Sequence, residues 1–561
     1  MKPVLALVAF LTPLPALAPS SVSAQARAPG GGIVTSADPR ATEAGQAILR
    51  QGGSASDAAI AMMLALTVVE PQSSGIGGGG FLLHQSAGGK LETIDGREKA
   101  PAGATPRRFV DAAGKPIPFI EAFQGGRAVG VPGNIRLAAL ASKKWGKLPW
   151  KALFQPAIRL AEGGFAVTRP MAEATTRVSP LWKNFPATAA QYGSTGLTQG
   201  TTVKNPALGK LLRKVAKDGP DAFYTGGNAK ALLAAVTTSK LNPSEMTAAD
   251  LTAYQAKERA PVCGEYRGYR VCGMRPPSSG ATTVLQILGM LERFDLKALG
   301  KDSPVAWHLI GEAMQLAYAD REKYLGDADF VSVPVAGLID RGYIGSRSRL
   351  IAEEKTLSAY DAGTPPGAPP RTAAEQREVP GTTHFIAVDR AGDVATMTST
   401  IEGPFGSQLL ANGYALNNEL TDFTFAPEKD GAPVANRVEG GKRPLSSMAP
   451  TIVYKDGKPV FTVGAAGGKT IIMQVTKAIV AHLDWGLNAR DSIGEPLVYF
   501  NREGLVLEQG TRLEAMKPAL EKLGHKVSVG RLPLKANAAE LTTTGWVGAA
   551  DPRGVGTALS E

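Results

Sequence analysis

The sequence contains few of the residues that usually hold metal ions. Cysteine occurs only twice and histidine five times among 561 residues. None of the histidines lies in a HExxH motif or in a close pair with metal-ligand spacing. We therefore expect no metal site in this protein.

Several motifs of hydrolytic and cofactor-binding enzymes are also missing. The chain has no GxSxG, which excludes the elbow serine of α/β-hydrolases. The glycine-rich stretch "SSGIGGGG" precedes a strand pattern instead of opening a helix, so it does not indicate a dinucleotide site. The segment "VGAAGGKT" lacks Walker A spacing, because Val463 stands where a glycine is required, five positions before Gly468. We expect no cofactor.

Long apolar runs are absent after the first residues. Lys2 is followed by an apolar stretch over residues 4–18, and residues 22–24, Val-Ser-Ala, form a small-residue cleavage motif. The stretch is too short and too rich in proline to span a membrane. These features predict a secretory signal over residues 1–24. We expect a mature chain that is periplasmic or secreted and has no integral membrane segment.

The excess of basic residues does not indicate a nucleic-acid partner. The formal net charge is +11, but lysines and arginines are scattered among acidic residues and form no cluster. A charged, solvated surface is the better interpretation. The hydrophobic fraction of 43% is that of a globular protein, and the chain is long enough to bury a large core.

The two cysteines lie on either side of a predicted hairpin turn. In "PVCGEYRGYRVCGM", a two-residue turn at Arg267 and Gly268 places Cys263 directly opposite Cys272. An exported compartment permits a disulfide at such a position. Two free, packed thiols are the alternative, because a direct cross-strand bridge demands a narrow geometry.

The spacing of apolar residues predicts a mixture of helices and strands. Helices are expected near residues 41–53 and 56–71, and residues 149–349 are mostly helical. Residues 357–380 are rich in proline, glycine and small polar residues, which predicts an extended connector. Strands follow, with a helix near residues 470–484 and without regular βαβ units. This pattern does not fit a doubly wound parallel sheet.

One threonine stands where chain cleavage would create a nucleophile. The sequence "PGTTHFIAVDRAGDVATMTST" predicts a hairpin that begins with Thr382 and Thr383. A cut after Gly381 would place the Thr382 hydroxyl beside a new α-amino group, which titrates near pH ~8 and can accept its proton. Taken alone, the stretch is more simply explained by threonines that only begin a strand.

A set of motifs along the chain changes that interpretation. The motifs are "DGREKAPA", "PGTTHFIAVD", "STIEGPFGS", "LNNELTDF", "RPLSSMAPTIV" and "GAAGGKTI". In this order, from about Ile33 to the C-terminus, they resemble the γ-glutamyltransferase family of N-terminal nucleophile hydrolases. The resemblance implies an α+β fold, a four-layer αββα sandwich, and a precursor that cuts itself between Gly381 and Thr382. The large subunit would be residues 25–381 and the small catalytic subunit residues 382–561, both within one αββα domain.

The resemblance also implies a role for each of four catalytic residues. Thr382 matches the nucleophile, and Thr400 matches the hydroxyl that helps to orient its amino group. Gly467 and Gly468 match the backbone donors that stabilise the tetrahedral oxyanion. Thr383 keeps the role of an ordinary strand residue.

A second group matches the substrate-binding residues of the family. Arg97 matches the arginine that holds the substrate α-carboxylate, a task suited to a planar guanidinium. Glu419 and Asp422 match the acidic pair that receives the α-ammonium group. Glu402 lies near that ammonium group, where many members have asparagine. Ser446 and Ser447 match hydroxyls that also hold the carboxylate. Three of the catalytic residues also belong to this group because they contact the substrate: Thr400, Gly467 and Gly468.

The implied reaction is the transfer of a γ-glutamyl group. The resemblance implies a γ-glutamyltransferase and glutathione hydrolase, in which Thr382 carries the group from glutathione or other γ-glutamyl compounds to water or to acceptor amino acids and peptides. This chemistry needs no cofactor. The alternatives are a related β-lactam (cephalosporin) acylase and an unprocessed binding protein of the same fold. Convergence of Arg97, Glu419 and Asp422 on an amino-acid head group would argue against the acylase.

Overall fold

The structure, a computed structural model, describes residues 25–28, 30–501 and 503–561. The predicted signal, residues 1–24, lies outside the described residues. Within them the chain forms 23 strands and 20 α-helices. Among these helices, none combines the length and the apolar character that crossing a membrane requires.

The strands range from two-residue pairs in loops to long members of two central sheets. In chain order they are β1 (Gln25–Ala28), β2 (Ile33–Ser36), β3 (Gly79–Gln85), β4 (Leu91–Asp95), β5 (Phe165–Ala166), β6 (Thr202–Val203), β7 (Lys257–Arg259), β8 (Val262–Tyr266), β9 (Tyr269–Gly273), β10 (Thr383–Val388), β11 (Val394–Thr400), β12 (Leu410–Ala411), β13 (Tyr414–Ala415), β14 (Glu428–Lys429), β15 (Ala432–Pro433), β16 (Thr451–Lys455), β17 (Lys458–Ala466), β18 (Val498–Asn501), β19 (Gly504–Glu508), β20 (Val527–Gly530), β21 (Lys535–Thr542), β22 (Gly545–Ala550) and β23 (Thr557–Ser560).

The helices are concentrated before residue 349. In chain order they are α1 (Pro39–Arg50), α2 (Ala55–Val69), α3 (Phe119–Ala122), α4 (Asn134–Trp145), α5 (Trp150–Leu153), α6 (Gln155–Gly163), α7 (Arg169–Val178), α8 (Pro186–Tyr192), α9 (Pro206–Asp218), α10 (Asp221–Tyr224), α11 (Gly226–Thr237), α12 (Ala248–Thr252), α13 (Gly280–Leu291), α14 (Leu296–Leu299), α15 (Pro304–Tyr324), α16 (Val335–Leu338), α17 (Arg341–Ser348), α18 (Thr470–Leu483), α19 (Ala489–Gly494) and α20 (Lys517–Lys522).

Two seven-stranded antiparallel sheets face each other at the centre. Sheet A has the strand order β1-β22-β21-β17-β16-β9-β8, and sheet B has the order β23-β2-β10-β11-β3-β4-β7. Successive side chains of β10 point to opposite faces. Ile386 therefore packs between the sheets, whereas Phe385 packs against the helices on the outer face of sheet B.

Helices cover the outer face of each sheet. Helices α1, α2 and α4 pack on sheet B, while α13 and α18 pack on sheet A with α15 beside α13. Helix α2 is buried along its whole length, which explains why its sequence is apolar on all sides. The result is a four-layer αββα sandwich of the α+β class, and this prediction is confirmed.

Helix α2 begins one residue before the predicted start at Ser56. The Ser54 side chain accepts a hydrogen bond from the Asp57 N–H at 3.1 Å, and the Asp57 carboxylate accepts one from the Ser54 N–H at 3.0 Å. This reciprocal capping box fixes the first turn of the helix. The capping residue Ser54 lies two residues before Ser56, at which the prediction began the helix.

The hairpin of β8 and β9 has the predicted register. Its turn residues Arg267 and Gly268 both have positive φ, of 51° and 74°, as a two-residue hairpin turn requires. Cys263 and Cys272 are directly paired and form a disulfide. The disulfide is thus confirmed over the alternative of two free thiols.

Strands β10 and β11 form the central hairpin of sheet B, as predicted. They pair from Thr383 with Ser399 to Val388 with Val394. On the outer sides, β10 pairs with β2 and β11 pairs with β3. Sheet B therefore interleaves strands that precede residue 381 with strands that follow it. In the described chain, residues 352–382 contain no helix or strand, which agrees with an extended connector.

Candidate active site

Thr382 lies at the entry of the central strand β10. Its amide N–H donates a hydrogen bond to the Ser73 carbonyl at 3.0 Å. Its hydroxyl donates to the hydroxyl of Thr400, the last residue of β11, at 3.0 Å. The antiparallel pairing brings the start of β10 beside the end of β11. The structure thus places the two predicted hydroxyls side by side.

The backbone around the bond between Gly381 and Thr382 is constrained. Thr382 has a φ of 78°, a left-handed conformation that is rare for a β-branched residue. A Cβ atom at Gly381 would lie 1.6 Å from the Glu402 carbonyl oxygen, so only glycine fits there. Backbone strain of this kind is concentrated at functional sites.

Arg97 lies in a buried cluster of carboxylates and not on the surface. Its guanidinium contacts Glu419 through Nη1 and Asp422 through Nη2, the second at 2.5 Å. The Glu98 carboxylate lies 3.7 Å from Nη1. All four side chains are buried. The predicted arginine therefore meets the predicted acidic pair, although more than 300 residues separate them in sequence.

The acidic cluster is suited to receive a cation. Burial raises the pKa of Glu98 to about 7 and raises the pKa of Glu402, Glu419 and Asp422 well above the usual carboxyl range. Within the described chain, Glu419 Oε2 and Asp422 Oδ1 are buried without a hydrogen-bond partner. Buried acceptors without a donor are costly. A ligand with several N–H donors, such as an ammonium group, would satisfy them.

Glu402 connects the acidic cluster to the threonine pair. Its carboxylate accepts hydrogen bonds from the Val379 N–H at 2.8 Å and from the Asn418 side-chain amide. Its own N–H donates to the Thr400 hydroxyl at 2.7 Å. Glu402 thus borders one cavity together with the threonine pair and the acidic residues Glu419 and Asp422.

The two predicted serines, Ser446 and Ser447, both border the cavity beside Thr382 but make different contacts. The Ser447 hydroxyl donates to the Glu378 carboxylate at 2.7 Å and accepts from the Arg321 guanidinium at 2.9 Å. The Ser446 hydroxyl accepts from the Met448 N–H at 3.2 Å. Of the two, Ser447 is the one whose side chain meets a carboxylate.

Gly467 and Gly468 connect β17 to the start of α18. A Cβ atom at Gly467 would lie 2.2 Å from the Pro533 carbonyl oxygen, and Gly468 has a φ of 61°, so both positions favour glycine. Among the described residues, neither amide N–H has an acceptor. The N-terminus of a helix favours negative charge. Two free N–H donors at this point are suited to an oxyanion.

A cavity of only about 10 Å³ remains open beside Thr382. Glu378 and Val379 of the connector form one wall and leave room for about one water molecule. Gly381 and Gly467 line a neighbouring cavity. The other predicted site residues all border the small cavity: Arg97, Thr382, Thr400, Glu402, Glu419, Asp422, Ser446, Ser447 and Gly468.

Three charged residues of this site were not predicted. Glu378 belongs to the connector, whose composition indicated only a spacer. Arg321 lies on α15, within the residues 149–349 that were predicted only to be mostly helical. Glu98 adjoins Arg97 in the motif "DGREKAPA" but was given no role. Arg321 stands in the charged run "DREK", residues 320–323, which by itself indicates a solvated end of the helix, so the sequence held no signal for its burial.

One group of side chains in the described chain has ligand atoms close enough for a metal ion. His308, Glu312 and His525 bring these atoms within 4.8 Å of one another. His308 Nδ1 and His525 Nε2 already form a hydrogen bond at 2.6 Å. Glu312 accepts from the Leu357 N–H at 2.8 Å and from the Tyr360 hydroxyl. Because these contacts use the ligand atoms, the cluster is explained without a metal.

The fold and the site together define a class of protein. A threonine at the start of a central strand, inside a four-layer αββα sandwich and near free backbone donors, is the arrangement of an N-terminal nucleophile hydrolase. The profile of the family described as Gamma-glutamyltranspeptidase matches residues 41–560. The chain belongs to this family, and the predicted resemblance is confirmed.

Individual relatives match over nearly the whole chain. The chain is 41% identical over 510 residues to the "Glutathione hydrolase proenzyme" of Bacillus subtilis (strain 168), which covers 88% of this chain and 85% of that protein. It is 37% identical over 540 residues to the protein of the same name from Escherichia coli (strain K12), with coverage of 93% and 90%. The crystal structure of cephalosporin acylase from Bacillus halodurans is similar with a TM-score of 0.85 and 27% identity, and covers 98% of this chain and 99% of that chain.

Proposed function

We propose that this protein is a γ-glutamyltransferase and glutathione hydrolase that matures by cutting itself between Gly381 and Thr382. The observation that carries the proposal is the meeting of the Thr382 and Thr400 hydroxyls with the buried acidic cluster around Arg97 in one cavity. The two relatives named glutathione hydrolase proenzymes support the same activity and the same kind of maturation.

Self-cleavage begins at the strained bond. The Thr382 hydroxyl attacks the Gly381 carbonyl carbon, and the acyl group moves from nitrogen to oxygen, which leaves an ester and a free amino group on Thr382. Water then hydrolyses the ester. The products are a large chain, residues 25–381, and a small chain, residues 382–561. Release of the left-handed backbone at Thr382 favours the forward direction.

The mature enzyme uses the same hydroxyl on its substrate. The new α-amino group of Thr382 accepts the hydroxyl proton while the oxygen attacks the γ-amide carbonyl of the donor. The N–H groups of Gly467 and Gly468 stabilise the oxyanion. The amine leaves with the proton, and for glutathione this amine is cysteinylglycine. Water or the amino group of an acceptor amino acid or peptide then releases the γ-glutamyl group, and no cofactor takes part.

The remaining residues recognise the amino-acid end of the donor. Glu402, Glu419 and Asp422 receive the α-ammonium group, and the unpaired carboxylate oxygens of the cluster support this role. The α-carboxylate is held by Arg97, Ser446 and Ser447. Such a head-group site favours γ-glutamyl donors over the side chains of β-lactams. Cephalosporin acylase activity, which the similar structure from Bacillus halodurans suggests, therefore ranks second.

The proposed location is the periplasm or the medium outside the cell. The signal pattern of residues 1–24 and the disulfide between Cys263 and Cys272 support export. Both features are independent of the catalytic proposal. Fractionation of cells that express the full chain tests the location directly.

Denaturing electrophoresis with N-terminal sequencing tests the maturation. The purified protein is expected to give two bands, and the smaller one should begin with Thr382. A Thr382→Ala variant should stay uncut, whereas the matched Thr383→Ala variant should still be cut. The cleavage would be refuted by a wild-type protein that remains a single full-length band. The activity would be refuted if the cut protein did not release p-nitroaniline from γ-glutamyl-p-nitroanilide.

A further inference from the structure

A charged pair lies beside Thr382 and has no part in the chemistry described so far. Lys535, the first residue of β21, places its Nζ atom 2.6 Å from Oε1 of Glu70, the residue that follows α2. The Glu70 side chain is 8% exposed and the Lys535 side chain 25%. Glu70 belongs to the proposed large chain and Lys535 to the small one. Charges shielded to this extent are only partly screened by salt and water.

The pair contacts the residues that surround the Thr382 nitrogen. Lys535 Nζ donates to the hydroxyls of Ser73 and Thr383, each at 3.3 Å. The Thr383 hydroxyl donates in turn to Oε2 of Glu70. The Ser73 carbonyl oxygen accepts from the Thr382 N–H at 3.0 Å. The nitrogen that would become the α-amino group is thus connected to both charges through its two immediate neighbours.

The pair is separate from the proposed head-group site. Glu70 and Lys535 border a cavity of about 240 Å³, which Ser73, Gly381 and Gly467 also line. Neither charged residue lines the small cavity that holds the acidic cluster. The pair therefore borders the bond to be cut without taking part in recognition of the donor.

The other charged groups that face Thr382 form two sets. The first set lies in and around the small cavity: Arg97, Glu98, Arg321, Glu378, Glu402, Glu419 and Asp422. The second set borders the larger cavity from α7 and from the end of β22: Glu173, Arg177 and Asp551.

The balance of these charges favours a proton on the Thr382 nitrogen. The first set contains more carboxylates than guanidinium groups. In the second set, Glu173 is paired with Arg169 at 3.2 Å, and Arg177 is exposed. Asp551 is paired with Arg553 at 2.9 Å. Among the described residues, Lys535 is the cation whose side chain contacts Ser73 and Thr383.

We propose that Lys535, held in place by Glu70, keeps the α-amino group of Thr382 largely unprotonated in the cut enzyme. This inference rests on the proposed function, in which that amino group accepts the hydroxyl proton. An ammonium group cannot accept a proton, and an ordinary α-amino group titrates near pH ~8. A neighbouring cation disfavours the ammonium form, whereas neighbouring carboxylates favour it. Lys535 is thus a positioning residue that offsets the carboxylates and takes no proton itself.

The pH dependence of kcat/KM for γ-glutamyl-p-nitroanilide provides the test. For the cut enzyme this constant should rise with pH, and the midpoint of the rise reports the amino group of the free enzyme. Lys535→Gln removes the positive charge but keeps an N–H donor for Glu70. Its midpoint should rise by about one pH unit, so kcat/KM should fall about 10-fold at pH 6 and stay near the wild-type value at pH 9.

Glu70→Gln should have the opposite effect. The variant keeps the shape of the side chain and leaves Lys535 charged, so its midpoint should fall by up to about one pH unit. In the double variant the two shifts should largely cancel. A pair that only supported the fold would lower kcat/KM at every pH and would not move the midpoint in opposite directions.

Two controls separate the charge from the site. Lys535→Arg retains the charge and should keep the wild-type midpoint. Lys144→Gln breaks another half-buried pair, with Glu92 at 3.0 Å, that lies outside both cavities. Its midpoint should also equal that of the wild type.

The outcomes distinguish the inference from the proposed function. Unchanged midpoints in the two glutamine variants of the pair, shifts of the same sign, or an equal shift in Lys144→Gln would overturn the inference. Each variant tests its own sign if the other does not mature. The wild-type midpoint should lie at or below ~8, and a value above ~9 would overturn the inference without any variant. Failure of the cut wild-type protein to act on the donor would instead contradict the proposed function itself.

Discussion

The hydroxyl oxygens of Thr382 and Thr400 lie 3.0 Å apart at adjoining ends of two paired strands. The Thr400 oxygen accepts from both the Thr382 hydroxyl and the Glu402 N–H, the latter at 2.7 Å. Thr400 itself is fixed by the close packing of Gly78, where a Cβ atom would lie 1.9 Å from the Thr400 carbonyl oxygen. The Thr382 hydroxyl, the proposed nucleophile, therefore has one defined acceptor at the end of a paired strand.

Removal of that acceptor should slow both cleavage and turnover. Thr400→Ala leaves the Thr382 hydroxyl without its partner, and we expect a loss of about 100-fold in each rate, as for other oriented groups in active sites. Thr400→Ser keeps the oxygen and should retain most of both rates. Time courses on denaturing gels give the cleavage rate, and donor hydrolysis by the cut fraction gives the turnover. Equal defects in the two variants would exclude a role for the hydroxyl.

Any side chain at position 381 should block maturation. In Gly381→Ala, the new Cβ atom would lie 1.6 Å from the Glu402 carbonyl oxygen, so the segment must move away from Thr400. We expect the uncut chain to accumulate at more than about ten times the wild-type level, since misplacement by ~1 Å costs about 100-fold in rate. Gly227→Ala, where a Cβ atom meets nothing within 4 Å, is the control and should be cut normally.

Asp422 should determine the preference for a donor with an α-ammonium group. Asp422→Asn keeps the shape and the contact with Arg97 but removes a negative charge. We expect kcat/KM for γ-glutamyl-p-nitroanilide to fall about 10- to 100-fold, in line with the loss of one charge-assisted hydrogen bond. Glutaryl-p-nitroanilide, which lacks the ammonium group, should be affected much less. A uniform loss on both compounds would mean that Asp422 only balances Arg97.

His384 should make the protein less stable in acid. The ring lies between the two sheets, where burial lowers the pKa of His384 to about 3, and it contacts the Thr396 and Thr398 hydroxyls at 3.1 Å and 2.9 Å. The unfolded state binds a proton near pH ~6.5, whereas the folded state does not. The stabilising contribution is therefore complete above that pH and is lost as the pH falls towards the folded pKa.

Urea unfolding at pH 7.5 and pH 5 measures this effect. One such histidine accounts for a fall in the free energy of unfolding of about 2 kcal/mol at pH 5. His384→Gln should reduce the difference between the two pH values by that amount, even if the variant is less stable at both.

Local signals in the sequence were sufficient for the two hairpins that matter most. The turn at Arg267 and Gly268 fixed the pairing of the cysteines, because a short hairpin allows only one register. The position of Thr382 at the entry of β10 followed from the same type of argument. The meeting of Arg97 with Asp422 could be expected only from resemblance to a family, because nothing local links residues so far apart.

Neither local patterns in the sequence nor the family resemblance predicted the contact between Glu378 and Arg321. The connector has no periodic pattern, so its sequence does not indicate which side chain turns inward. Arg321 is buried where α15 meets Ser279 and Ser447, a tertiary effect that local propensity does not contain. A contact between an irregular segment and a helix through charged side chains, such as this one, leaves no pattern in the sequence.

The interleaving of strands in sheet B links the folding of the chain to the proposed cut. Strands β10, β11 and β23 come from the part after residue 381, and β2, β3, β4 and β7 come from the part before it. Neither part alone can complete the sheet, so assembly must precede the cut. Once cut and denatured, the two pieces would have to find each other in solution, and recovery would depend on protein concentration. Under the proposed cleavage, the intact chain is therefore the form in which sheet B assembles, and the cut follows that assembly.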